Sequence, residues 1–408
     1  MDGMKGLVTG RGLAFRFYLV LLFAGPLFAA AASEPALPIE EARETALLQA
    51  AGRDFKIKRT RHFVIAYNVP TELVDSLISR LEATYFSICR FCEQEHIAAR
   101  RPDHRLEVIF FNDRAGYGRY AAAIRFASQG TYGVYYEPSN RSAFFNIENE
   151  PQMRQIAANV LDARRNLDDL TRAMKDIRDR RTIIELQYSD GRRQQMTRRE
   201  AEKKIDESRR ELQELQGRQT AYVNRINRTV IQHETAHQVL YNTGVHVRGG
   251  PNPTWLVEGL ACLFETPPGR SGAGLGAINQ LRLQDFRDAV SGETAARKLT
   301  ADDYLNAIAA GRIVLPRELI TNPALLREPG SDRATHYAAA WALTMYLQRV
   351  RGQKLDDYLQ AVSRRQPGEP VTAKEELALF ERHFGPLDEP FLRRLGRYIL
   401  NLPLSDGW

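Results

Sequence analysis

The sequence predicts an α+β fold with three parts: a small N-terminal sheet, an inserted coiled-coil helical hairpin and a helical C-terminal lobe. Three observations predict it. Short β-rich runs separated by Asn, Asp, Gly and Pro occur throughout residues 53–150. Charged helix-forming residues dominate residues 151–224. Apolar stripes with helical spacing mark much of residues 225–408, which predicts that this last part is mostly helical.

The composition of the whole chain is that of a globular protein. Of its 408 residues, 43% are hydrophobic and 26% are charged, which argues against a disordered or a multi-span membrane protein. The net charge of +7 favours contact with anionic surfaces. Lysine and arginine are nevertheless spread along the chain, and no nucleic-acid-binding motif accompanies them. We therefore expect no nucleic acid among the partners.

Residues 1–32 have the pattern of a signal peptide. Lys5, Arg11 and Arg16 precede an apolar run that small residues close. This pattern predicts export to the periplasm or the extracellular space. The run is short for a membrane span, but without cleavage it could still tether the protein to a membrane. Residues 33–52 form a polar, Ala-rich leader in which nothing indicates chemistry.

The N-terminal sheet is predicted from alternating and β-branched runs. Phe63, Ile65 and Tyr67 alternate with other residues as in a strand, and Pro70 with Thr71 begins a helix. Three further short β-rich runs follow, at residues 106–111, 131–136 and 142–147. Together these runs predict a sheet of about four strands.

A Cys-x-x-Cys pair lies late in the helix that begins at Thr71. Cys89 and Cys92 are followed one turn later by His96, but no fourth metal ligand is found for this group. Glu93 stands where a haem-attachment motif has histidine. Two interpretations remain open, a local disulfide favoured by export and a pair of core thiols.

Residues 151–224 predict an antiparallel coiled-coil hairpin. Apolar residues recur at three-, four- and seven-residue spacing in its first half. The pattern breaks near Asp190 and Gly191, and Thr197 with Glu200 supplies a capping box for a second helix. Asp190 and Gly191 also suit the turn of a small β-hairpin at the tip. The hairpin is either a solvated spacer or an arm that docks a protein partner or a second copy of the chain.

The chemistry of the chain is concentrated in a His-Glu-x-x-His motif. His233, Glu234 and His237 lie in an apolar stretch with no helix breaker before Gly244. Residues four apart share one face of a helix, so both imidazoles can reach one Zn²⁺ at about 2.0–2.1 Å. Glu234 lies on the flank of that face, where a general base for a water at the metal is needed. The motif predicts a zinc site with Glu234 as the base.

Two residues are candidates for the third zinc ligand, because no Asp, Glu or Cys separates His237 from Glu258. His246 follows the end of the metal-binding helix in a Gly-rich loop. Glu258 instead follows an Asn-Pro pair that can begin a new helix. A helix holds a ligand more firmly than a loop does, so we expect Glu258 to complete the site.

The motifs His233-Glu-Thr-Ala-His237, Asn242-Thr-Gly-Val245 and Trp255-Leu-Val-Glu-Gly-Leu-Ala261 resemble those of the gluzincin zinc metallopeptidases, especially the peptidase MA-like domain proteins of bacteria. The resemblance covers residues 225–265 well and residues 55–150 loosely. It implies a zincin-like metallopeptidase domain, a zinc ion on His233, His237 and Glu258, and a peptide or protein substrate. Glu234 would polarise the water that attacks a peptide carbonyl.

One position departs from the gluzincin pattern. Many gluzincins have an acidic residue four positions after the third ligand, where it orients a metal-binding histidine, and here that position is Cys262. The outer ring nitrogen of the histidine must then contact a backbone carbonyl, a water or Glu265. We expect Cys262 to be a buried packing residue rather than a metal ligand.

Two further features bear on catalysis. His336 and Tyr337 begin an Ala-rich stretch similar to the C-terminal helix of the family, and either could donate a hydrogen bond to the developing oxyanion. In the resembling family an edge strand aligns the peptide, and here residues 131–136 and 142–147 are both candidates for that strand.

The main alternative to an enzyme is a non-catalytic, zinc-stabilised binding or scaffold protein that acts through its coiled-coil arm. Glu234 argues against that alternative, because a purely structural zinc site gains little from this carboxylate.

Overall fold

A five-stranded mixed sheet forms the N-terminal part of the protein. The computed structural model describes residues 35–175, 183–187, 193–266, 278–292, 298–328, 330 and 332–404. Within them the sheet has the order β1–β2–β3–β5–β4, with strands β1 (Lys56–Arg59), β2 (Phe63–Tyr67), β3 (Leu106–Phe111), β4 (Gly133–Tyr136) and β5 (Arg141–Phe145). Helices account for most of the other described elements, so the predicted α+β class is confirmed.

The pairing of the strands decides which of them is exposed at an edge. Strands β2, β3 and β5 run parallel to one another, while β1 and β4 pair antiparallel at the two edges. Every residue of β2 and β3 is buried, as expected for central strands covered on both faces. The polar strand β1 escaped prediction because an edge strand needs no continuous apolar pattern.

Alternation along β2 separates two hydrophobic cores, one on each face of the sheet. Phe63 and Ile65 point into the larger core, which also contains the inner faces of α2 (Thr71–Gln94) and of the helix that carries His233 and His237. Val64 and Ala66 point to the opposite side. There they meet α3 (Arg114–Ala123) and Leu47 of α1 (Glu41–Ala51). The end of the predicted leader thus packs on the sheet.

The arm is formed by α4 (Pro151–Lys175) and the N-terminal part of α5 (Arg198–Asn242). Between them, β6 (Ile183–Gln187) and β7 (Arg193–Thr197) pair antiparallel. The predicted capping box is present, since Thr197 and Glu200 bond to each other's backbone N–H groups. The predicted turn at residues 190–191 lies outside the described residues. No break separates the arm from the metal motif, because α5 is one continuous helix of 45 residues.

The C-terminal part of the described chain is helical. Its eight helices are α6 (Thr254–Leu263), α7 (Gln280–Ser291), α8 (Ala301–Ala309), α9 (Pro316–Thr321), α10 (Ala324–Arg327), α11 (Arg333–Ser363), α12 (Ala373–Phe384) and α13 (Glu389–Leu400). Helix α6 lies very close to α11 at Gly259, where a Cβ would overlap Thr344 Oγ1 and lie 2.8 Å from the Ala340 carbonyl oxygen. Glycine at this position therefore lets α6 bring the neighbouring Glu258 to the site.

Two smaller predictions can be compared with the structure. Cys89 and Cys92 lie in α2 and form no disulfide, so of the two interpretations the structure has the core thiols, with Cys92 in the larger core and Cys89 packed against it. Among the described residues no helix is both long and apolar enough to cross a membrane. The predicted signal peptide, residues 1–32, lies outside the described part of the chain.

Candidate metal centre

His233 and His237 lie one turn apart on the buried face of α5. Their Nε2 atoms are 3.0 Å apart, and the two rings are nearly perpendicular. Both side chains are buried because the surrounding residues of this part of α5, Ile231, Ala236, Val239 and Leu240, belong to the larger core. The polar pair is thus embedded in an otherwise apolar helix face, and its nitrogens point towards α6.

Glu258 brings a carboxylate oxygen to the two histidines from α6. Its Oε2 lies 3.1 Å from Nε2 of His233 and 3.4 Å from Nε2 of His237. Ligands about 2.0–2.1 Å from a tetrahedrally coordinated Zn²⁺ are roughly 3.3 Å apart, so these three atoms have the spacing of three corners of such a site. Two imidazole nitrogens and one carboxylate oxygen are also a ligand set that zinc commonly uses.

The hydrogen bonding of His233 supports a cation at this point. Its Nδ1 lies 3.0 Å from Oε1 of Glu265, an acceptor, so Nδ1 carries a proton. In the neutral ring, Nε2 then directs its lone pair at the carboxylate of Glu258, which is also an acceptor. Two acceptors at this distance require a positive charge between them, supplied either by a proton or by a metal ion.

The pKa values of the site show the same demand for positive charge. Burial alone would lower the pKa of His233, but hydrogen bonds with Cys262, Glu258 and Glu265 outweigh burial and raise it well above its usual value. Burial would raise the pKa of Glu258, but its interactions with His237 and His233 hold it well below the usual value. Glu258 is therefore ionised, as a metal ligand must be.

Glu265 supplies a carboxylate beside the outer ring nitrogen of His233, where Cys262 has none to offer. It accepts hydrogen bonds from Arg282 Nε at 3.0 Å, from Arg282 Nη2 at 2.7 Å and from Asn279 Nδ2 at 2.7 Å. Burial raises its pKa, but Arg282 and His233 outweigh burial and bring the pKa to about 2. Of the three partners left open for the outer nitrogen of a ligand histidine, the described structure has Glu265 bound to His233.

Cys262 forms a second group with His233 and Glu265 whose ligand atoms converge. Burial raises the pKa of this thiol to about 11, so it stays protonated. Both oxygens of Glu265 are already held by Arg282. This second group therefore suits a metal ion less well than the first, and Cys262 packs in the core as expected.

Glu234 lies beside the ligand set and faces the sheet. Its Oε2 accepts a hydrogen bond of 2.7 Å from the backbone N–H of Tyr135 in the edge strand β4. A cleft of about 300 Å³ opens here, lined among others by Gly133, Thr229, His233, Glu234, Arg333 and Tyr337. The candidate base is thus accessible from the cleft and fixed by the sheet.

Of the two candidates for an oxyanion donor, Tyr337 lines the cleft. Its ring centroid lies 5.7 Å from that of His233, and its hydroxyl oxygen accepts a hydrogen bond of 3.2 Å from Arg333. His336 is not among the described residues that line the cleft. Its Nδ1 donates instead to the carbonyl oxygen of Leu325, at 2.9 Å.

His246, the other candidate for the third ligand, is buried near the site but is not part of the group formed by His233, His237 and Glu258. Its ring packs 5.1 Å from that of Tyr241, and neither ring nitrogen has a hydrogen-bond partner among the described residues. Burial, followed by the influence of His237, lowers its pKa to about 3. His246 is thus a neutral histidine within the core.

Sequence reasoning missed three residues of the site: Tyr135, Arg282 and Arg333. Tyr135 acts through its backbone, which no side-chain pattern reveals. The other two are arginines in helices far along the chain from the metal motif, and arginine is common throughout this sequence. The one local signal was Asn279, which caps α7 and so places Arg282 in its first turn.

Comparison with known proteins relates part of the chain to a protein family. A family model described as a protein of unknown function (DUF1570) matches residues 227–369. No curated protein matches the chain. The matched segment includes His233, Glu234, His237, Glu258 and Tyr337 but excludes the sheet and residues 151–224, which form the arm. Over residues 227–369, the part that supplies the metal-ligand candidates, the chain is therefore similar to a family whose function is unknown.

Proposed function

We propose that the chain is a zinc-dependent metallopeptidase that hydrolyses peptide bonds with Glu234 as general base. The observation that carries this proposal is the convergence of His233 Nε2, His237 Nε2 and Glu258 Oε2, with Glu234 beside them in an open cleft. The resemblance of the same motifs to the gluzincins supports the choice of zinc and of a peptide substrate.

A bound Zn²⁺ would supply two effects, polarisation of the scissile carbonyl and acidification of a water towards a pKa of about 7. Glu234 accepts the proton from that water and passes it to the leaving amine. The Tyr135 N–H holds only Oε2 of Glu234, and within the described chain Oε1 has no hydrogen-bond partner. One carboxylate oxygen therefore orients the base while the other remains available for the proton.

The sheet supports a way of holding the peptide. Strand β4 lies at the edge, whereas β5 is covered by β3 and β4, so of the two candidate runs only residues 131–136 can accept an added strand. Tyr135 already uses its N–H for Glu234. Gly133, two residues earlier, directs its backbone groups to the same side and lines the cleft. We therefore assign the backbone pairing with the peptide to Gly133.

Tyr337 is our candidate for stabilising the oxyanion. Burial, and next the charge of Glu258, raise its pKa above the usual value, so the hydroxyl keeps its proton. Because Arg333 donates to the Tyr337 oxygen, the hydroxyl proton is directed elsewhere and can be donated to a substrate oxygen. His336 is our weaker candidate, since its ring is already bonded to the Leu325 carbonyl.

The proposal is tested by digesting a peptide library with the zinc-loaded protein, the chelator-treated protein and the Glu234→Gln variant. We expect cleavage by the first alone, with a loss of several orders of magnitude in the variant. Elemental analysis should find about one zinc per chain in both the wild type and the variant, because the substitution leaves all three ligands in place. Cleavage that persists in Glu234→Gln would rule out this residue as the base.

A second candidate function is a zinc-stabilised binding or scaffold protein that acts through the arm. It is favoured by Ile183 in β6, an apolar residue of the arm that is 67% exposed while its neighbours form a separate small core. In that case a protein partner or a second copy of the chain would bind the arm. A phenotype that follows truncation of the arm but is unaffected by Glu234→Gln would favour this candidate.

We also propose that residues 1–32 direct export, so that the protein acts in the periplasm or outside the cell. Fractionation of cells that produce the full chain tests this, together with N-terminal sequencing of the mature protein. Recovery from the cytoplasm with the N terminus intact would contradict export.

A further inference from the structure

The cleft contains a cation that forms no ion pair with a carboxylate of the described chain. Two arginines line it, Arg282 and Arg333. Arg282 is bound by both oxygens of Glu265. Arg333 has instead a neutral phenol as its partner: it donates to the Tyr337 oxygen at 3.2 Å, and its guanidinium carbon lies 5.3 Å from the centre of the Tyr337 ring. Arg333 is also only half-buried.

The position of Arg333 relates it to the reacting atoms. It is the first residue of α11, one turn before Tyr337, so the two residues are about 6 Å apart along the helix axis. Tyr337 in turn contacts the ring of His233. Arg333 is near enough for its charge to interact with the carboxylates of Glu258 and Glu234. It therefore lies just beyond the atoms at which hydrolysis would occur.

This environment suits a negatively charged group of the ligand. A guanidinium offers a planar fork of donors that matches a carboxylate, and such charge-assisted pairs are among the stronger hydrogen bonds. The start of α11 adds the positive end of a helix dipole on the same side. Arg333 lies 3.2 Å from the Tyr337 oxygen, and a hydrogen bond from that hydroxyl to a substrate oxygen adds about 2.7–2.8 Å. Extended peptide advances about 3.3–3.6 Å per residue, so this separation of about 6 Å corresponds to one or two residues.

We propose that Arg333 binds a carboxylate of the peptide substrate one or two residues from the scissile bond and thereby determines specificity. This inference rests on the proposed peptidase function and names its substrate class. The carboxylate is either the C-terminal group of the peptide or an acidic side chain at that position. The two sources share the same chemistry at Arg333, and matched peptides separate them.

The test measures binding in the zinc-loaded Glu234→Gln protein, in which peptides are not consumed. Three peptides of one core sequence are compared by calorimetry: one with a free C-terminal acid, one with a C-terminal amide, and one amide with glutamate as its penultimate residue. We expect the amide without glutamate to bind about 10- to 100-fold more weakly than the best of the other two, the loss typical of one charge-assisted contact.

Substitutions of Arg333 test whether this residue causes the preference for peptides with a carboxylate. Arg333→Ala in the same background should bring the peptides to nearly equal affinity, and Arg333→Lys should restore part of the preference because it keeps the charge but not the fork. Arg349→Ala is the matched control. Arg349 is an exposed arginine about 24 Å further along the same helix, and its loss should leave the preference intact. Zinc content and circular dichroism verify that each variant is folded.

Three results would overturn the proposal: equal affinity of all peptides for the protein with Arg333, a preference that survives Arg333→Ala, or the same loss of affinity for every peptide in Arg333→Ala. An equal loss of affinity for every peptide would mean that Arg333 orients Tyr337 and does not bind a carboxylate of the peptide. Failure of the proposed peptidase function would give a result different from these three. If the acidic peptides bind in an Arg333-dependent way but the wild-type protein cleaves none of them, the carboxylate site stands and the peptidase activity does not.

Discussion

The outer nitrogens of the two histidines in the candidate metal centre have different surroundings. His233 Nδ1 is held by Glu265, which Arg282 fixes in turn. Nδ1 of His237 is buried and has no hydrogen-bond partner in the part of the chain that the structure describes. A carboxylate on the outer nitrogen sets both the tautomer and the orientation of a ligand histidine. His233 is therefore the more firmly oriented of the two.

The choice of third ligand gives a prediction at this scale. Glu258→Ala should weaken zinc binding by several kcal/mol, on a scale of about 10–16 kcal/mol for protein zinc sites, because it removes one of three converging ligand atoms. His246→Ala should bind zinc nearly as well as the wild type, since His246 lies outside that group. Competitive titration against a chromophoric chelator measures both affinities.

Thermal unfolding of the zinc-free proteins serves as the control, because His246 is buried and its removal leaves a cavity. The opposite result, loss of zinc in His246→Ala and retention in Glu258→Ala, would indicate a three-histidine centre and would remove the basis of the gluzincin resemblance.

Helix α11 has different surroundings in its first turns, its middle and its C-terminal half. Its first turns bring Arg333 and Tyr337 to the cleft, and its middle packs against α6 at Gly259. Its C-terminal half follows a local distortion at Arg351, whose backbone is not helical. There Asp356 is buried, with one carboxylate oxygen that lacks a partner among the described atoms. This half of α11 therefore carries a cost in stability that depends on pH.

We expect Asp356→Asn to stabilise the protein by about 1–2 kcal/mol at about pH 8 and by little at about pH 4. Burial, and next the charges of Glu95 and Asp357, raise the pKa of Asp356 from 3.8 to about 7 in the folded chain. Between these values the unfolded chain has released the proton that the folded chain retains. Stability therefore falls as the pH rises from about 4 to about 7, and stays low above that.

Urea unfolding at the two pH values measures this effect. The exposed neighbour provides the control, since Asp357→Asn should change stability much less at either pH. An equal change for Asp356→Asn at both pH values would show that packing, rather than ionisation, is responsible.

At the scale of the whole molecule, the arm has an outer part that packs on itself and a base that packs on the sheet. The outer part of the arm has its own cluster, including Leu170, Met174 and Ile205. The base of the arm belongs to the core on the other side, because Met153 and Val223 pack beneath the sheet. We propose that residues 151–224 are an insertion into a catalytic domain, whose inner end is part of that domain's core.

Two truncations follow from this division. Replacement of residues 164–211 by a short Gly/Ser link should leave zinc binding and thermal stability nearly unchanged, since it removes the outer cluster alone. Replacement of residues 154–224 should cost about 3 kcal/mol or more, because it also removes Ile156, Tyr222 and Val223 from the core. Differential scanning calorimetry compares the two. Equal unfolding temperatures would show that the base of the arm does not stabilise the sheet.

Local patterns in the sequence were enough to predict the elements that depend on near neighbours. The His233–His237 pair follows from the helical repeat, and the Thr197 capping box from a spacing of three residues. The buried strands β2 and β3 follow from their apolar runs. Each of these features depends on residues within one or two turns of each other, so that no other part of the chain is needed to recognise it.

Tertiary structure alone decided which distant residues meet. Packing of α7 against α11 brings Arg282 to Glu265, and pairing with β5 leaves β4 at the edge, where Tyr135 reaches Glu234. The sequence did not predict the continuity of α5, for a related reason. Its composition changes from charged to apolar where it passes from solvent into the core, and such a change records burial rather than the end of a helix.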